Sequence, residues 1–258
     1  MTTHPFLRHK TPIAFAHRGG ASDAPENTMP AFEHAMNLGY IYLETDVHAT
    51  RDGVLLAFHD DDLSRTCGRP GLISELDYSE VSQARVNGTE AIPLLDDLLS
   101  AWPDAHINID CKSDQALKPL ADRLAQKMNQ DDVFERVCVG SFSDKRLASL
   151  REQFGPKLCT SMGPREVTKL RLGSWVRHTG KFQNVYAAQV PVSQGPLTIV
   201  DKAFISAAHR ADIQVHVWTI DEPKEMNRLL DLGVDGIMSD RPAALKKVLL
   251  ERDSWHGN

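Results

Sequence analysis

The sequence predicts a single (β/α)8 barrel of the α/β class, and three observations carry that expectation. Short apolar runs alternate with amphipathic helical patterns about eight times along 258 residues, and a barrel of this kind takes about 250 residues. Runs such as VCVGSF (137–142) show no polar alternation, as strands buried on both faces of a parallel sheet require. No GxGxxG opens the first βα unit and no Walker loop occurs, so the signatures of an open doubly wound sheet are missing. One domain over 1–258 is expected.

The elements follow in order. IAFAH (13–17) is a strand, and it precedes a helix over Thr28–Leu38 with Met29, Phe32, Ala35 and Met36 at helical spacing. Asn27 and Thr28 stand where caps belong, and Pro30 falls in the first turn. YIYLETDV (40–47) and VLLAFH (54–59) read as strands around Asp52-Gly53, and LDDLLSAW (95–102) as a short helix. INIDC (107–111) leads into QALKPLADRLAQKM, VCVGSF into DKRLASLREQF, and KLCTSM (157–162) into REVTKLRLGSWVRH. VYAAQV (185–190) leads into TIVDKAFISAAHR, VHVWTI (215–220) into EPKEMNRLLDL, and GIMSD (236–240) into RPAALKKVLLER. The least regular stretch, about 61–92, holds Gly68, Pro70, Gly71 and Gly88 and is read as a surface excursion that could act as a lid.

Hydrophobic residues at 41% and charged residues at 25% describe a soluble globular chain with a sizeable core. The net charge of -6 argues against binding a nucleic-acid backbone, so any anion site must be built locally. Cys67, Cys111, Cys138 and Cys159 form no CxxC pair and read as reduced core residues. The N-terminal MTTHPFLRHKTP lacks the apolar segment of about 7–15 residues that marks a signal peptide. No run reaches the roughly 18 apolar residues of a membrane span. A cytoplasmic protein without stable membrane insertion is expected.

Barrel active sites sit at the C-terminal ends of the strands. Those ends carry His17 and Arg18, then Glu44 and Asp46, then Asp110 and Lys112, and finally Trp218. Asp52-Gly53 signals a two-residue type I′ turn, which pairs Arg51 with Val54 and sets His59 opposite Asp46. Glu44 and Asp46 share one face, so His59 would project beside both. A one-residue change of loop length would turn His59 away. Alternation also puts Asn108, Asp110 and Lys112 on the interior face, with Ile107 and Ile109 toward the helices. Asp60 reads as a supporting residue and Glu26 as a brace for the HRG turn. His48, nearer the turn, is expected at the surface. His216 is either barrel filling or functional. Trp218 either packs in the core or walls a substrate pocket.

HRG (17–19), PENT (25–28), ETD (44–46), HD (59–60), DCK (110–112), WT (218–219) and DGIMSDRP (235–242) occur in order along nearly the whole chain. With this ordered set the sequence resembles the glycerophosphodiester phosphodiesterases, a family with a phospholipase C-like barrel. The resemblance implies hydrolysis of a small-molecule phosphodiester to sn-glycerol 3-phosphate and an alcohol. It implies one divalent cation, Mg²⁺ or Ca²⁺ with Mn²⁺ as a further option, on Glu44, Asp46 and Asp110. It implies His17 and His59 as an acid–base pair, and Arg18 and Lys112 as phosphate contacts. Asp110 stands where the family commonly carries Glu.

The residue chemistry agrees with these implied roles. Hard cations take oxygen ligands, imidazoles exchange protons near neutrality, and guanidinium and ammonium groups offset charge on phosphoryl oxygens. Two other readings stay open. A lysophospholipid or phosphoinositide substrate would call for an exposed apolar rim or basic ring at the barrel mouth, of which 61–90 shows little. A barrel that only binds a phosphate ester would need the cations but no histidine pair.

Overall fold

Eight parallel strands alternate with eight principal helices in the computed structural model, which describes residues 4–10, 12–127, 132–176 and 180–257. The barrel strands are β1 (Ile13–Ala16), β2 (Tyr42–Ala49), β3 (His106–Cys111), β4 (Val137–Gly140), β5 (Cys159–Thr160), β6 (Ala187–Val190), β7 (Gln214–Val217) and β8 (Gly236–Ser239). They run in the spatial order β5-β4-β3-β2-β1-β8-β7-β6. A parallel bridge between Ser161 and Ala187 closes the ring, with Met162 N–H donating to Ala187 O at 2.8 Å and Tyr186 N–H to Thr160 O at 3.0 Å.

The helices are α1 (Met29–Asn37), α2 (Leu95–Ala101), α3 (Asp114–Lys127), α4 (Asp144–Phe154), α5 (Pro164–Trp175), α6 (Lys202–Arg210), α7 (Pro223–Leu232) and α8 (Pro242–Glu251). Thr28 caps α1, its Oγ1 accepting from Ala31 N–H, as its position before the apolar spacing predicts. The stretch TIV (198–200) is not helical, because Asp201 accepts from Phe204 N–H at 2.8 Å and starts α6 there. Met128, Arg177 and His178, read in the sequence as the ends of two helices, lie outside the described residues.

Strand alternation sorts the side chains into two layers. Leu43, Val47, Ile107 and Ile109 are fully buried between sheet and helices, and each such burial contributes roughly 1.5–3 kcal/mol. Ile13, Phe15, Tyr42 and Met238 point inward, where Phe6 from the N-terminal turn packs edge-on against Tyr42 and fills the bottom of the barrel. The interior positions above that plug carry the polar residues of the site.

The excursion is more ordered than its sequence suggests. It holds short helices at Ser64–Cys67 and Tyr78–Val81 and a two-stranded ribbon of Arg85–Val86 with Glu90–Ala91. Leu63, Ile73, Val81 and Val86 bury with Leu56 and Phe58 of the hairpin in a core of their own. These apolar residues are spaced too irregularly to give a periodic signal, and packing alone gathers them. The segment packs against the hairpin as a buttress.

Candidate active site

The hairpin after β2 sets the first half of the site. Its returning strand, Leu55–Ala57, pairs antiparallel with β2 in the register Val47–Ala57, His48–Leu56 and Ala49–Leu55. Thr50 N–H donates to Val54 O at 3.0 Å and Gly53 N–H to Thr50 O at 2.9 Å. The loop is therefore Arg51-Asp52-Gly53, three residues closed by Gly53 at φ 84°, the bulged turn that takes glycine in the left-handed region. Phe58, not His59, meets Asp46, with Phe58 N–H donating to Asp46 O at 2.9 Å. This corrects the expected register by one residue. His59 still lines the same cavity as Glu44 and Asp46, because the strand ends at Ala57 and the chain turns after it.

His48 also departs from its expected place. It is buried, with Nε2–H donating to the carbonyl of His59 at 3.0 Å. Burial lowers its pKa, so the ring is a neutral prop under the His59 backbone. Asp60 accepts from His59 Nδ1–H at 2.6 Å through one oxygen and from Arg65 Nε–H at 2.5 Å through the other.

The HRG turn sets the second half. His17 Nδ1–H donates to Asp240 at 2.6 Å, and its Nε2 lies 3.8 Å from Glu44 Oε2. Burial alone would lower the His17 pKa, but Glu44 and Asp240 outweigh it and hold it above the ordinary value. Arg18 adopts φ 52°. In that bend its N–H donates to Glu44 Oε2 at 3.1 Å and its Nη1–H to Glu26 at 3.0 Å, while Nε lies 3.1 Å from Asp46 Oδ2. Gly19 follows at φ 80°, where a Cβ would stand 2.8 Å from the Ala31 carbonyl carbon, so only glycine fits between the turn and α1. Asn27 donates to Asp46 Oδ2 at 3.0 Å and accepts from Thr45 Oγ1–H at 2.8 Å.

Neighbouring strands bring the carboxylates together, since Glu44 and Asp46 pair in register with Asn108 and Asp110. Lys112 Nζ lies 2.9 Å from Asp46 Oδ1 and 3.0 Å from Asp110 Oδ2. Burial and the Asp46 charge push Glu44 up to about 7. Burial raises Asp110 as well. Asp46 is pulled below the usual range because Lys112 and Arg18 outweigh its own burial. These all-oxygen donors suit a hard cation, and Asp110 Oδ1 is buried without a hydrogen-bond partner. As they stand, no group of His, Cys, Asp or Glu among the described residues is gathered for a metal ion. The Lys112 ammonium lies between two of the three carboxylates and offsets part of their charge.

His17, Arg18, Glu44, Asp46, His59 and Asp110 line one side of a cavity of about 530 Å³ at the C-terminal mouth of the barrel. Lys112 and Trp218 line it too, Trp218 half-buried at the end of β7 and edge-on to Phe142 at 5.7 Å. His216 lies below, fully buried against Phe15 at 4.9 Å, as barrel filling. The far side is largely apolar, with Phe142, Met162, Val167, Leu172, Leu197 and Ile199 on the segments after β4, β5 and β6, interrupted by Thr168, Arg171 and Gln194. Asp240 and Arg65, which hold the two imidazole partners in place, carry no role in the sequence reading. The SDRP motif contains Asp240, but only barrel closure brings it to His17.

Residues 17–244 match the Glycerophosphoryl diester phosphodiesterase family. A Mycobacterium tuberculosis protein named probable glycerophosphodiester phosphodiesterase 2 is 38% identical over 98% of this chain and 96% of its own length. Human lysophospholipase D is 30% identical over 91% of this chain and 85% of its own. A phosphodiesterase from Oleispira antarctica, solved with sn-glycerol-3-phosphate, superposes with a TM-score of 0.75 at 21% identity, over 93% of this chain and 97% of that one. With the family matched over most of the chain and the relatives matched nearly end to end, the chain belongs to the glycerophosphoryl diester phosphodiesterase family.

Proposed function

We propose that this protein hydrolyses glycerophosphodiesters, releasing sn-glycerol 3-phosphate and an alcohol. One observation carries the reading: His17 and His59, each with Nδ1 held by a carboxylate, share a cavity with the cations Arg18 and Lys112. A site that only bound phosphate would need the cations and no such pair.

The residues divide the work as follows. Arg18 and Lys112 neutralise the non-bridging oxygens of the diester, and stabilise them further as charge grows in the transition state. Asp240 and Asp60 fix the tautomers, so the Nε2 atoms of His17 and His59 are the working nitrogens. One imidazole takes the proton of the attacking hydroxyl, from water or from the glycerol itself, and the other gives a proton to the departing alkoxide. Where the glycerol hydroxyl attacks, water then opens the resulting cyclic phosphate to glycerol 3-phosphate with the two imidazoles exchanging roles. Trp218 walls the cavity beside the leaving group. A divalent cation, Mg²⁺, Ca²⁺ or Mn²⁺, held by Glu44, Asp46 and Asp110 would supply Lewis-acid stabilisation of the phosphoryl oxygens. The free buried thiols of Cys111, Cys138 and Cys159 fit a reducing compartment, the cytoplasm.

The test is release of glycerol 3-phosphate from glycerophosphocholine and glycerophosphoethanolamine with each metal in turn. His17→Ala and His59→Ala should each lose about 10²- to 10⁴-fold in turnover. Near-wild-type turnover in either variant removes that histidine from the pair. Affinity without turnover across the whole metal panel would make this a binding protein.

A second reading, monoacylated glycerophosphodiesters as substrates, is favoured by the apolar side of the cavity and by similarity to the human lysophospholipase D. A higher kcat/KM for lysophosphatidylcholine than for glycerophosphocholine would select it.

A further inference from the structure

Seven large hydrophobic side chains are exposed among the described residues, and five of them belong to the loops and the helix around the apolar side of the cavity. Phe142 (64% exposed), Leu172 (54%) and Leu197 (42%) line the cavity itself. Trp175 (55%) and Val176 (74%) follow Leu172 at i+3 and i+4, on and just past the end of α5. That spacing puts them on one face with Leu172. Leu197 comes from a two-stranded ribbon, Ser193–Gln194 with Leu197–Thr198, that stands across the cavity wall.

An apolar face this concentrated marks an interaction surface, and its surroundings say what kind. Arg165, Lys169 and Lys181 are exposed around it. Of the nearby carboxylates, Glu166 is paired with Arg151 and Asp201 with Arg171. Asp144, which accepts from the Arg165 backbone N–H, is the one among these three without a cationic partner to set against the three cations. The rim is therefore apolar with a basic border, although the chain as a whole carries -6. Trp and Leu on one face of a helix flanked by Arg and Lys is the pattern of an interfacial element on an anionic lipid surface. The rim is also continuous with the inner apolar wall of Met162, Val167 and Ile199. An acyl chain leaving the lipid phase would follow these apolar side chains inward, beside Thr168, Arg171 and Gln194 of the same lining.

We infer that the face formed by Phe142, Leu172, Trp175, Val176 and Leu197 docks on anionic phospholipid surfaces, presenting the cavity to monoacylated substrates held there. This rests on the second reading above for its substrate, but not for its binding step. Docking sets Trp175 and Val176 among the acyl chains, with Arg165, Lys169 and Lys181 at the level of the lipid phosphates. No residue that holds the phosphate or moves a proton takes part.

The experiment is flotation of the whole chain with vesicles of phosphatidylglycerol and phosphatidylcholine, and with phosphatidylcholine alone. The wild type should float with the anionic vesicles and release from them at high salt. Trp175→Glu combined with Val176→Glu should cut the floated fraction at least tenfold. The same variant should lose at least tenfold in hydrolysis of vesicle-borne lysophosphatidylglycerol, while turnover of soluble glycerophosphocholine stays within twofold. Val176→Glu alone, at the most exposed position, shows the same direction should the double variant fold poorly. Wild-type protein that floats with neither vesicle, or a variant that floats equally well, overturns the proposal. So does a wild-type dimer that the variant splits without any vesicle binding, which would make the face a subunit interface. Flotation needs no turnover, so loss of the enzymatic reading and loss of the docking proposal are told apart.

Discussion

Arg65 grips Glu26 with two parallel hydrogen bonds, Nη1–H to Oε2 at 2.9 Å and Nη2–H to Oε1 at 2.6 Å. Its remaining Nε–H goes to Asp60, the carboxylate that holds His59, while Glu26 also accepts from Arg18. One guanidinium in the excursion thus orients a proposed proton carrier and a proposed phosphate contact together. Arg65→Ala should lower kcat by about 10- to 100-fold, a part of what acid–base catalysis supplies, with a smaller change in KM. Arg65→Lys should recover only part, since an ammonium cannot reproduce the parallel two-bond grip on Glu26 while also reaching Asp60. Steady-state kinetics on glycerophosphocholine decide it, and a kcat within twofold of wild type in the alanine variant denies Arg65 an orienting role.

Asp240 does for His17 what Asp60 does for His59. Asp240→Asn removes the charge that helps hold the His17 pKa up and leaves an amide that can present the wrong hydrogen-bonding atom to Nδ1. Turnover should fall by about 10²-fold or more while the thermal midpoint moves little, because the Asp240 side chain is itself 31% exposed. Unchanged turnover with a normal melting curve rejects the assignment.

A divalent cation at the carboxylates should make activity sensitive to chelation and should raise the melting temperature as its concentration rises above its dissociation constant. Asp110→Glu, one methylene longer, should keep activity while changing the order of preference among Mg²⁺, Ca²⁺ and Mn²⁺. Asp110→Asn should lose it. Glycerol 3-phosphate release undiminished in excess EDTA ends the cation assignment.

His216 gives the fold a defined acid weakness. Burial drives its pKa down to about 3 from the ordinary 6.5, so the folded chain keeps it neutral. Below pH 6.5 the unfolded chain takes up a proton there that the folded chain refuses. Stability present above that pH is therefore lost as pH falls toward 3, by up to about 1.4 kcal/mol per pH unit. Urea midpoints at pH 7, 6 and 5 should decline, and His216→Gln should flatten the decline by up to one proton. An equal slope in wild type and variant means that His216 does not control it.

How much of this was legible in the sequence differs from element to element. The alternation of β3 is legible, with Asn108, Asp110 and Lys112 inward and Ile107 and Ile109 outward, because a period of two leaves little choice once both faces are buried. The hairpin register differs by one residue from the expected one, because Asp52-Gly53 is equally compatible with a two-residue turn and with a three-residue loop closed by Gly53. His48 was expected at the surface and is buried, since nothing local reveals that the excursion folds back over it. Asp240 and Arg65 lie 223 and 6 residues from the histidines they serve, through contacts that only the closed barrel and the packed excursion create. The exposed apolar side chains at the cavity mouth come not from 61–90 but from three later segments that share no pattern along the chain.

The uneven lacing of the barrel has an evolutionary consequence. Between β2 and β3 six residue pairs stand in register, from Tyr42–His106 to Val47–Cys111. At the seam, β5 has only two residues and meets β6 through a single bridge. Glu44, Asp46 and Asp110 stand on the tightly laced pair, and most of the apolar wall on segments that border the seam. Substitutions, insertions and loop exchanges between Met162 and Ile199 can therefore accumulate with little strain on the histidines and carboxylates. A lineage built on this frame can trade one alcohol or acyl group for another while its hydrolytic half stays as inherited.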